Sequence, residues 1–525
     1  MKVYSLLVCA LLILSCGSSN NKSETAKAKV AANPVNYANT ITQDELREML
    51  YTYASDEFEG RETGEPGQKM AANYLKEQYL EMGIPSPISE ENYFQPVALE
   101  KQKIADVELT LNNDKLTSFD DFLVLGNPQS QMFEIAEIVY VGFGIDAENY
   151  SDYKNINVKD KIVLVKAGEP KDANGNFITS GTKTDTDWSS GRASIRSKRD
   201  AALKNGAKAI LHYSEDLLSV YGPYYQKLAA SGRVGRMALK SKETEIINIL
   251  VGDKFVESFF PEIKTSVIHE NIKVDLTSKI NAQSEKVDSE NVVAFLKGTE
   301  KPNEILVISA HLDHEGIKNG EVYNGADDDG SGTVAVLEIA EAFKKAANDG
   351  YAPKRSILFL HVTGEERGLL GSRHYSDNDP LFPLENTVAN LNIDMVGRTD
   401  PKRDGDRNYI YLIGSDKLST ELHNISEEIN SKYTNITLDY KYNDDNDPNR
   451  FYYRSDHYNF AKNNIPVIFY FNGTHDDYHQ PSDTPDKIEY DLLENRTRLI
   501  FHTAWELANR DERIVVDKAK IVSAD

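Results

Sequence analysis

Five short runs of this chain are apolar and free of Asp, Glu, Lys and Arg: Ile305–Ala310, Ile357–Val362, Val388–Ile393, Tyr409–Ile413 and Val467–Phe471. A strand with one wet face alternates apolar and polar residues; a strand covered on both faces does not. Runs of five or six residues fit strands better than helices. Between the first two lies Thr333–Phe343, an apolar helical stretch after a glycine-rich start. Buried strands alternating with helices predict an α/β unit, a mixed and mostly parallel sheet with helices on both faces. No internal repeat at a fixed period interrupts this pattern.

A chain of 525 residues is too long for one core, so two or three domains are expected. The formal charge of -24 argues against a nucleic-acid binder, which needs a basic face to displace counterions from phosphate. At the start, Lys2 precedes a mostly apolar run from Val3 to Leu14, too short to span a bilayer, so residues 1–15 read as a signal peptide. Its end, Ile13-Leu14-Ser15-Cys16, resembles a bacterial lipobox. That resemblance implies cleavage before Cys16, acylation of its thiol, and a lipid-anchored protein of the cell envelope. Residues 16–40 then serve as a tether, rich in Ser, Asn, Lys and Ala. With Cys9 removed and Cys16 lipidated, the mature chain has neither a free thiol nor a disulfide.

The rest divides into 41–118, 119–283 and 284–525. Asp44–Leu50 opens with acidic residues, as a first helical turn prefers, and Met70, Ala71, Tyr74, Leu75 and Tyr79 repeat at helical spacing up to Gly83. The middle segment has strands and a helix of its own, in Ile138–Gly144, Lys161–Val165 and Arg199–Asn205. It reads as a smaller, β-rich α/β insertion. The Val141-Gly142-Phe143-Gly144 turn, Lys159–Leu164 and Lys204–Ala209 resemble a protease-associated domain, which implies a module that caps or gates a neighbouring site.

Chemistry-bearing residues sit where the apolar runs end. His311 directly follows the first, Glu365 and Glu366 lie just past the second, and Asp394 directly follows the third. Ligands bind beyond the carboxyl ends of strands in open α/β sheets, so these exits predict one shared crevice. Asp328 lies in the Asn324–Gly332 loop, rich in glycine and carboxylate, and His479 follows the last run within Tyr478–Asp483. Imidazole and carboxylate without thiolate suit Zn, Mn or Co. Two ligand pairs and a bridging carboxylate would leave each metal an open position for water, and a nearby carboxylate would take the proton.

His311-Leu312-Asp313, Gly325–Gly332, Gly364-Glu365-Glu366, Asn392–Met395 and Tyr478-His479 resemble, in order, the motifs of metallopeptidase family 28, the co-catalytic di-zinc exopeptidases. The likeness includes the entry segment Asp56–Arg61. It implies that 41–118 and 284–525 form one peptidase domain acting on peptide substrates, and that two zinc ions are bound. His311 and Asp394 would hold one, Glu366 and His479 the other. Asp328 would bridge them through a cis peptide to Asp329, with Glu365 as general base. Asp313 would orient His311, and Tyr478 would stabilise the oxyanion. An aminopeptidase is the leading expectation. A carboxypeptidase or dipeptidase on the same residues, and a non-catalytic receptor-like ectodomain, stay open. His314 and His475, close to these positions in sequence, are expected to support or line the site, and His457, in Ser455-Asp456-His457, to help shape the substrate pocket or a structural turn.

Overall fold

A computed structural model describes residues 32–126, 128–230, 237–240 and 246–518. The leader, the lipobox with Cys16 and most of the tether lie outside them. Among the described residues no helix is long and apolar enough to cross a membrane.

A nine-stranded sheet positions the candidate site. Its order runs Thr437–Asp439, Tyr409–Ile413, Val467–Phe471, Thr387–Ile393, Lys301–His311, Arg355–Val362, Ser284–Leu296, Phe94–Gln102 and Met237–Leu239. Four central neighbours, Val467–Phe471 to Arg355–Val362, are parallel, and antiparallel strands flank them. Both faces are covered. Leu306, Ile308 and Ala310 point into a core shared with the helices Gln43–Tyr53, Pro66–Met82, Gly332–Asn348 and Tyr490–Asn509, whereas Ile305 and Val307 pack against Tyr375, Leu418 and Phe460 on the other side. This two-sided burial is why the strands read as unbroken apolar runs.

A second sheet of eight strands holds residues 106–281, apart from the short strand Met237–Leu239, which pairs back onto Phe94–Gln102. Asp106–Leu111, grouped with 41–118 in the sequence reading, belongs to this second sheet. It pairs antiparallel with Glu270–Asn281 and buries Val107, Leu109 and Leu111 in the second core. Alternation marks such a segment as a strand but carries no information about which sheet it joins.

Glu338, in the middle of Gly332–Asn348, is 2% exposed, and its Oε2 has no hydrogen-bond partner among the described residues. Burial, reinforced by the charges of Glu45 and Glu341, pushes its carboxyl up to about 8. The unfolded chain releases this proton near 4.5 and the folded chain near 8, so Glu338 removes stability as pH rises between those values. Glu338→Gln is therefore expected to raise Tm by several degrees at pH 8.5 and hardly at all at pH 4.5. Calorimetry at both values checks this, and an equal change at both contradicts it.

Candidate metal centre

His311 is the last residue of its strand, and its ring is fixed from behind. Nδ1 donates to the backbone carbonyl of Asp313 at 2.9 Å, which leaves Nε2 as the free acceptor. Nε2 lies 3.1 Å from Asp328 Oδ1 and 3.7 Å from Asp394 Oδ1. On the far side, Asp328 Oδ2 lies 3.0 Å from His479 Nε2, which is 3.2 Å from Glu366 Oε2. The two oxygens of Asp328 thus face two different histidines. The peptide between Asp328 and Asp329 is cis.

The loop that carries Asp328 is held by neighbouring carboxylates. Asp329 accepts from the backbone N–H groups of His311, Gly332 and Met395 at 3.0–3.2 Å, tying two strand exits to the start of the helix Gly332–Asn348. Asp483 accepts from the N–H groups of Asp327 and Asp328, and Asp327 contacts His475 Nε2 at 3.1 Å. Ser455 donates to Asp394 at 2.6 Å. Gly325 adopts φ +56°, and a Cβ there would come within 2.5 Å of the His314 ring. Glycine is what lets this loop close over the site.

The two adjacent glutamates point differently. Glu366 faces His479 and His314, the latter at 2.9 Å. Glu365 lines an open cleft with Asp328, Asp394, Met395, Tyr478 and the aromatic wall of Phe451, Phe469 and Phe471. Burial, and behind it the charges of Glu366 and Asp394, push the Glu365 carboxyl well above the usual range. The ring of Tyr478 stacks on His479 with centroids 3.9 Å apart. His457 is buried and stacks on Phe469.

The donor set fits divalent metal. His311 Nε2, Asp328 Oδ2 and Glu366 Oε1 are buried and make no hydrogen bond among the described residues, although they face Asp328 Oδ1, His479 Nε2 and His314 Nδ1, respectively, at 2.9–3.1 Å. So many carboxylates in a buried space demand positive charge. Without metal they place it on the imidazoles: burial lowers His479, but Asp328 and Glu366 outweigh it and raise the ring to about 10. The nitrogen and oxygen donors match zinc ligation.

All the residues singled out in the sequence converge here, with one difference. Asp313 holds His311 through its backbone carbonyl, while its carboxylate stands 3.9 Å from Nδ1. That carboxylate accepts instead from Thr63 and from the N–H of Glu365. The sequence reading did not anticipate His314 among the facing donors, nor the bracing by Asp329, Asp327 and Asp483. The available signal was position alone, since His314 and Asp329 lie within three residues of expected ligands.

Residues 291–504 match the sequence model of Peptidase family M28. Aminopeptidase YwaD of Bacillus subtilis (strain 168) is 32% identical over 162 residues, covering 28% of this chain and 33% of that protein. Aminopeptidase Y of Saccharomyces cerevisiae is 26% identical over 333 residues, covering 61% of this chain and 55% of that protein. The chain thus spans between a third and just over half of the length of these curated relatives. Among solved structures, the aminopeptidase from Aneurinibacillus sp. strain AM-1 aligns over 93% of this chain and 99% of its own at 19% identity, with a TM-score of 0.48. The segment from 291 to 504 is thus similar to peptidase family M28.

Proposed function

We propose that this chain is a zinc-dependent exopeptidase that removes N-terminal residues from peptides at a two-metal centre. One observation carries the reading: Asp328 presents Oδ1 to His311 and Oδ2 to His479, both near 3 Å, as a carboxylate bridging two ions would. His311 and Asp394 would hold one zinc, and Glu366 and His479 the other. Two bound zinc ions supply a water of lowered pKa and polarise the scissile carbonyl. Glu365, on the cleft wall, accepts the proton of the attacking water and returns it to the leaving amine. Tyr478, on the same wall, would donate to the oxyanion. The wall of Phe451, Phe469 and Phe471 favours an apolar side chain on the residue released.

The test compares leucyl p-nitroanilide with its N-acetylated form, with and without 1,10-phenanthroline. Hydrolysis is expected only with the free amine, to stop with the chelator and to return with zinc. Equal cleavage of both substrates, or indifference to the chelator, overturns the reading. Hydrolysis confined to N-blocked peptides with a free carboxylate would identify a carboxypeptidase on the same residues.

A further inference from the structure

His314 is fully buried, and neither ring nitrogen has a hydrogen-bond partner among the described residues. Its Nδ1 lies 2.9 Å from Glu366 Oε1 and 3.7 Å from Asp328 Oδ2. His479 presents Nε2 to the same two carboxylates at 3.0 and 3.2 Å, and the two rings meet edge to face with centroids 5.6 Å apart. Neighbouring ligand atoms around an ion with bonds of about 2.0 Å in a tetrahedron stand about 3.3 Å apart. The four donors bracket that spacing. The backbone is built to admit the ring: His314 N donates to the Arg61 carbonyl at 3.2 Å, and Gly325 leaves the space a Cβ would fill.

We infer that His314 is a further ligand of the ion held by Asp328, Glu366 and His479, so that the two metal positions are unequal. The inference rests on the two-metal reading above. The other position has His311, Asp394 and the shared Asp328. Asp329, though close to His311 and Asp394, already spends its oxygens on three backbone N–H groups and is a brace. The position with the extra imidazole retains its ion more strongly. The one with fewer protein ligands keeps more room for water and substrate.

The experiment titrates zinc into the metal-free full chain against a chromophoric chelator, for the native protein, His314→Ala and His314→Gln. X-ray absorption then counts imidazoles on the zinc-loaded forms. The native protein is expected to take up two equivalents with affinities at least about tenfold apart and to show three imidazoles over two zinc ions. Both variants are expected to lose the stronger site by more than tenfold, keep the weaker one, and show two imidazoles. Glutamine can still donate to Glu366, so full affinity in His314→Gln would mean that His314 only positions Glu366. That result, or an unchanged imidazole count, overturns the inference. Native protein that fails to bind two equivalents would overturn the two-metal reading itself, a separate outcome.

Discussion

Glu365→Gln is expected to lower kcat on the order of 10³-fold while zinc content and KM stay close to native. The substitution keeps the volume and the backbone N–H bond to Asp313, and removes only the capacity to take a proton. Its neighbour sets the contrast. Glu366 meets His314 and His479 within 3.2 Å, so Glu366→Gln takes a charge from the ligand set and is expected to release metal. Two glutamates adjacent in sequence would then fail in two different ways, one in turnover with metal bound, the other in metal binding. The pair is read by steady-state kinetics beside zinc analysis of the same preparations. Glu365→Gln retaining a tenth or more of native turnover would remove Glu365 as the base.

The difference between the two glutamates came from the family resemblance and not from any local pattern in the sequence. Gly364-Glu365-Glu366 follows a buried strand, which places both at the crevice, but which carboxylate turns toward the histidines depends on the loop that follows. The central strands were legible because burial on both faces leaves a pattern that does not depend on distant residues. His311 and Asp394 were legible for the same reason, since His311 ends such a strand and Asp394 directly follows one. Residues that act through long-range contacts left no local mark. Asp483 looks like a turn residue after Pro481 and Ser482, yet it fixes two N–H groups of the Asp328 loop. The strand 106–111 alternates as any half-exposed strand does, and only its partner Glu270–Asn281 decides its sheet. His314, one residue past Asp313, carries no periodic signal, and its part became visible only once Glu366 was brought beside it.

Arg61 shows how far a local signal can fall short, and replacing it is expected to be the most destabilising change of those considered. Its sequence context, Glu59-Gly60-Arg61-Glu62, reads as an exposed charged turn, yet the side chain is 0% exposed. The guanidinium donates to four backbone carbonyls, of Tyr53, Leu312, Asn324 and Gly325, and lies over the Tyr53 ring. Leu312 follows His311, and Asn324 and Gly325 open the loop that carries Asp328. Arg61 therefore joins the N-terminal helices to both ligand segments at once, and no smaller donor spans all four acceptors. Arg61→Met leaves the Tyr53 and Asn324 carbonyls without a donor among the described residues, while Leu312 keeps the Tyr53 hydroxyl and Gly325 the Gly330 N–H, for a loss of about 3–5 kcal/mol. Arg61→Lys keeps the charge but offers one ammonium for four carbonyls, so it is expected to recover little. Denaturant unfolding of the metal-free chain measures the loss, and zinc titration measures the accompanying drop in affinity. If Arg61→Lys were as stable as the native chain, charge alone would matter. If Arg61→Met lost stability with zinc affinity intact, the two ligand segments would be held in register by other contacts.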